Sequence, residues 1–123
     1  MAKQAPAATL DSMLDYVAGS NSMVVLTSEP ANFAAVAAAT LATVAMAGGD
    51  FVKAAGTGTG ARQVTVGAKS GVSVSATGTA THIALVNTTG STLRYVTTCT
   101  SQGLTSGNTV NIPAWVINMT QPT

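Results

Sequence analysis

Charge is what this sequence has least of. Of its 123 residues only 7 % are Asp, Glu, Lys or Arg, five cations against four acids, where soluble domains usually carry about a quarter. That leaves no basic stripe to neutralise phosphates, so nucleic acid is not an expected partner. Aromatic residues are equally scarce at 4 %, Trp115 is the single tryptophan, and there is one cysteine and one histidine. A lone Cys99 closes no internal disulfide and reads most simply as a small, half-buried hydrophobe. One His, one Cys and the dispersed Asp11, Asp15, Glu29 and Asp50 do not make a metal-ligand set. No catalytic, cofactor-binding or metal-binding residue is assigned, and the chain is expected not to be an enzyme.

What is present is apolar and small. Hydrophobic residues make up 46 % of the chain, which runs against the composition of disordered proteins. A net charge of only +1 does little to hold copies apart, so a homo-oligomer or a larger assembly is expected. The uncharged stretch from Pro30 to Gly49 has the length of a membrane span. Its apolarity comes mostly from Ala, however, interrupted by Asn32, Thr40, Thr43 and a Gly pair, and no membrane partner is expected. Met1–Thr9 lacks the apolar run of a secretory leader, so synthesis in a cytoplasm is the expectation.

The length suits a single domain. Residues 1–8 carry no periodicity and read as an extended arm, leaving 9–123 as one β-rich domain. Leu10, Met13, Leu14 and Val17 fall at helical spacing, predicting a short helix over Thr9–Ala18 with Thr9 as N-cap, Asp11 and Asp15 near its positive end, and Gly19 as its stop. Met23–Leu26 is an apolar run of strand length. A helical turn near Asn32–Ala38 and a strand near Leu41–Ala47 follow from Ala content and then alternation.

The second half alternates strongly. Three turns bring its apolar residues to one face: Lys69-Ser70-Gly71, Gly78-Thr79 and Thr88-Thr89-Gly90, in which Gly71, Gly78 and Gly90 are the structural turn residues. The prediction is a four-strand antiparallel meander with Val64, Val66, Val72, Val74, Ile83, Leu85, Leu93 and Tyr95 on the core face, then a further strand over Thr109–Met119 broken or bulged at Pro113. The fold class is therefore mainly β, an antiparallel β-sandwich or meander with a short N-terminal α-helix. The opposite face carries Gln63, Thr65, Ser73 and Ser75 at one end and His82, Ala84, Val86, Arg94 and Val96 at the other. Either the N-terminal strands cover its apolar part or a neighbouring molecule does.

Single residues invite chemistry but do not sustain it. Gly56, Gly58 and Gly60 lack the nucleotide-loop spacing and precede a strand rather than a helix, so a flexible hairpin or Ω loop is expected. His82 has no acidic neighbour in sequence to orient its ring, and a structural role on a sheet face is expected. Asn87 and Asn118 head glycosylation sequons that mean little without secretion. Trp115 fits both a core residue and an interface anchor, and with Val86, Arg94 and Val96 it forms the set of candidate interface residues.

The segments VAMAGGDF, VTVGAKSGVSVSA, GTATHIALVN and LRYVTTCTSQGLTSGNTVNIPAW resemble a group of small virion proteins of tailed bacteriophages, a likeness running from about Leu10 to the end. The resemblance implies a viral structural protein without catalytic residues, of capsid decoration (cement) type, whose partner is the major capsid protein of the head. A domain of a tail-fibre or collar appendage, contacting receptor, glycan or other tail proteins, is the alternative. Copy number separates them: many per particle for the head, few for the appendage.

Overall fold

The computed structural model describes residues 7–56 and 61–119. Along the chain come α1 (Ala7–Ala18), β1 (Ser22–Leu26), α2 (Phe33–Ala39), β2 (Thr40–Ala45), a 3-10 turn (Gly48–Asp50), β3 (Phe51–Ala55), β4 (Arg62–Val66), β5 (Lys69–Ser73), β6 (Gly78–Asn87), β7 (Thr92–Leu104), β8 (Thr109–Ile112) and β9 (Trp115–Met119). They form a mainly β, sandwich-like fold of antiparallel sheets with orders β2-β1-β6-β7, β3-β4-β9 and β5-β8.

One core joins all three sheets. Met23, Val25 and Leu85 enter it from the four-stranded sheet, Phe51, Val64, Val66 and Ile117 from the three-stranded one, Val72, Val110 and Ile112 from the smallest, and Leu14 and Val17 from α1. A second, smaller cluster lies on the other side of the four-stranded sheet, where α2 lays Val36 and Ala39 on Val24, Leu26, Ala84 and Val86. The two clusters explain why Met23–Leu26 is an unbroken apolar run. β1 is an interior strand covered on both faces, so successive side chains are buried alternately in one cluster and the other. α2 begins where Asn32 caps it, its side chain accepting a hydrogen bond from Ala35 N at 3.0 Å.

The alternating residues of the second half, Leu93 excepted, fall on the expected face, but their strands do not form a meander. Val64, Val66, Val72, Val74 and Leu85 are buried in the main core and Ile83 and Tyr95 pack against it. The strand pairings differ: β4 lies between β3 and β9, β5 pairs with β8, and the stretch Gly67-Ala68 passes the chain from one sheet to another instead of closing a hairpin. Gly71 does take a positive φ of +65°, yet within β5 at an irregularity opposite β8, not at a hairpin tip. Gly78 is no turn residue at all; it opens β6 opposite Leu104.

The hairpin between β6 and β7 does form, with a different register. Asn87 pairs with Thr92, so the turn holds four residues rather than three, and the positive φ of 53° falls on Ser91 instead of Gly90. A register shift beyond Val86–Leu93 then sets Leu85 opposite Tyr95. Leu93 is thereby turned away from the main core and packs with Val96 against the α2 cluster. The strand expected over Thr109–Met119 is two strands in different sheets, separated at Pro113-Ala114.

The expected arm falls outside the described residues up to residue 6, and Ala7 and Ala8 already belong to α1. Thr9 is thus inside the helix and not its cap. Met13 is 50 % exposed, while Leu10, Leu14 and Val17 are buried. Asp11 and Asp15 lie beyond the first turn and make ion pairs across to the sheet, Asp11 with Arg62 at 2.9 Å and Asp15 with Lys53. These two pairs seat α1 on the β3–β4 hairpin.

Candidate interaction surface

The residues able to do chemistry stand apart from one another. His82 lies between Leu26 and Thr98 in adjacent strands, with Nδ1 2.8 Å from Thr81 Oγ1. The Thr81 hydroxyl also reaches the Thr27 carbonyl, to which it donates at 2.9 Å. Cys99 is half-buried in β7, and desolvation pushes its thiol above the ordinary range, which keeps it protonated and weakly nucleophilic. Among the described residues no group of three His, Cys, Asp or Glu could hold a metal ion. Gly58 and Gly60 lie outside the described residues; Gly56 N donates to Ala61 O at 2.8 Å, and β4 follows. No helix among the described residues is long and apolar enough to cross a membrane.

The four interface candidates part company. Val86 is only 2 % exposed beneath α2, so it presents no surface to a partner. Val96 is half-buried on the same cluster. Arg94 is engaged within the chain: its Nη1 donates to the Tyr16 carbonyl at 2.7 Å and its guanidinium lies 4.1 Å over the Tyr16 ring, fastening the end of α1 to β7. The strand opposite face is therefore covered in its apolar part by a helix of the same chain, not by strands.

Trp115 remains. It is half-buried and stacked on Tyr95 with ring centroids 5.9 Å apart, and its indole N–H is buried without an acceptor. Beside it opens a cleft of about 410 Å³ between β7 on one side and β8 and β9 on the other, lined by residues that include Thr98, Cys99, Gln102, Asn111 and Val116. A second cleft, about 570 Å³, lies on the far side of Tyr95 between α1, β7 and β9. Both exist because β7 and β9 are edge strands of separate sheets and do not pair with each other.

The outer face of the three-stranded sheet continues this surface. Val52, Thr65 and Val116 are register neighbours across β3, β4 and β9. They point opposite to the row that includes buried Val64 and Ile117, and Val52 and Val116 are 59 % and 48 % exposed. Ala54 and Gln63 share that outer face. None of these residues is charged. The sequence carries the same signal: after Arg94 the chain contains no Asp, Glu, Lys or Arg, so the span that supplies β8, β9 and most of β7 is uncharged. Compared with family models, with curated proteins and with solved structures, the chain matches none.

Proposed function

We propose that the protein is a non-enzymatic structural component of a tailed-phage particle, a decoration or cement protein of the head that binds the assembled lattice of the major capsid protein and stabilises it. The observation that carries this reading is the uncharged surface formed by β8, β9 and the part of β7 beyond Arg94, with the Tyr95–Trp115 pair beside its cleft. Such a surface suits contact with other protein, since uncharged groups lose less on desolvation than charged ones. The sequence resemblance to phage virion proteins supplies the context. On a lattice, many weak contacts sum to full occupancy. Purified protein added to capsids assembled without it is expected to co-sediment at a copy number near that of the capsid subunits and to raise their melting temperature. Binding of a few copies per particle would point to an appendage, and no binding would overturn the reading.

A further inference from the structure

We infer that the free edge of β7 accepts an extended strand from a partner polypeptide, whose inward side chains fill the cleft beside Trp115. The inference concerns the isolated protein and does not depend on the particle reading. It starts from where the sheets end. β7 closes the four-stranded sheet, β9 closes the three-stranded one and β8 pairs only with β5, so each has one edge without a strand partner among the described residues. All three line the same cleft, and among the described residues no main-chain hydrogen bond joins β7 to β8 or β9. Two register shifts against β6 flank Tyr95–Thr98, which leaves that stretch as the regular part of the edge. From Tyr95 to Leu104 the strand holds neither Pro nor a charged residue, two of the devices by which edges refuse a partner.

The main chain selects the occupant. A free strand edge presents N–H and C=O groups at β spacing, and an extended chain carries the complementary row at the same spacing, which a helix or a lipid headgroup does not. Side chains along an added strand alternate between the two faces, so those on the inner face enter the cleft. Its floor includes Val25, Ile83, Leu104 and Ile112, and Gln102 and Asn111 are among its polar lining residues. The inward side chains are therefore aliphatic and the outward ones polar. Trp115, in the wall of the cleft, has its indole N–H buried without an acceptor, and an added strand brings carbonyl oxygens to that wall.

The test uses the full chain with the capped peptide acetyl-Lys-Ser-Val-Thr-Val-Ser-Lys-amide and two forms of it N-methylated at alternate residues, each form lacking the donors of one edge. Trp115 is the single tryptophan and lines the cleft, so its fluorescence reports filling, while amide hydrogen exchange by NMR locates the pairing. The parent peptide is expected to shift Trp115 emission saturably at millimolar concentration and to slow exchange within Tyr95–Thr98 severalfold. At least one N-methylated form is expected to bind roughly tenfold or more weakly, since it keeps the side chains and loses the main-chain bonds. Trp115 emission that does not respond, protection at a different edge strand, or N-methylated forms that both bind as well as the parent would each overturn the inference. So would exchange within Tyr95–Thr98 that slows with protein concentration alone, which would make a second copy the occupant.

Discussion

At the scale of single residues, backbone conformation separates glycines that look alike in sequence. Gly71 holds a φ of +65° with no heavy atom within 4 Å of where a Cβ would stand, so Gly71→Val meets no clash and its cost is conformational, about 1–3 kcal/mol. Gly90 takes no positive φ, and a Cβ there would find its nearest neighbours at ordinary contact, 3.8 Å or more. Gly90→Val is therefore expected to cost clearly less than Gly71→Val. The left-handed residue of that turn is Ser91, and Ser91→Gly is expected to stabilise by about 1 kcal/mol. Urea midpoints of the three variants decide the order, and equal losses at Gly71 and Gly90 would contradict it. Ser20 belongs to the same scale. Its hydroxyl is buried without a partner, so Ser20→Ala removes a desolvated group and is expected to leave stability unchanged or raised.

At the scale of elements, the structure divides what alternation encodes from what it does not. A period of two fixes which face a side chain takes, and Val64, Val66, Val72, Val74, Ile83, Leu85 and Tyr95 all reach the main core. It does not name the neighbouring strand, because an apolar face is satisfied equally by any sheet packed on the same core. β4 and β5 thus join different sheets despite matching patterns. Leu93 escaped even the face assignment, since the register shift next to Arg94 inverts everything before it in β7. The helices were legible from spacing and capping, but the ion pairs that seat α1 are contacts across 51 residues for Asp11–Arg62 and 38 for Asp15–Lys53 and leave no local trace. Another such link joins the 3-10 turn to β5. Asp50 accepts from Ala47 N at 2.8 Å and pairs with Lys69 at 2.9 Å, which holds its carboxyl below the usual carboxylate range, with the Ala47 backbone bond the larger cause. A folded-state value below the unfolded one, near 3.9, means a contribution complete above about pH 4 and lost as pH falls through the folded value. Asp50→Asn is expected to melt below wild type at pH 7, with the gap closing under acid. A gap that stays constant from pH 7 to pH 2 would show that the ionised carboxylate contributes nothing.

At the scale of the whole molecule, scarcity of charge becomes a statement about forces between molecules. Among the described residues three ion pairs, Asp11–Arg62, Asp15–Lys53 and Asp50–Lys69, engage six of the chain's nine acidic and basic side chains, and Arg94 is held by Tyr16. Charge in this fold is spent largely on holding elements together, while the outer sheet face and the cleft beside Trp115 are left to apolar, hydroxyl and amide groups. Contacts made through such a surface draw on apolar burial, which salt at ordinary concentrations does not screen, whereas exposed ion pairs are screened within about 8–10 Å at 0.1–0.15 M. Self-association and any binding to capsids are therefore expected to persist nearly unchanged from 0.05 to 0.5 M sodium chloride, and to strengthen in sulfate, which is excluded from protein surface and favours burial. Sedimentation across both salt series measures this directly. Dissociation by sodium chloride would mean that the few surface charges, Glu29 among them, carry the contact, and the neutral face would lose its assigned part.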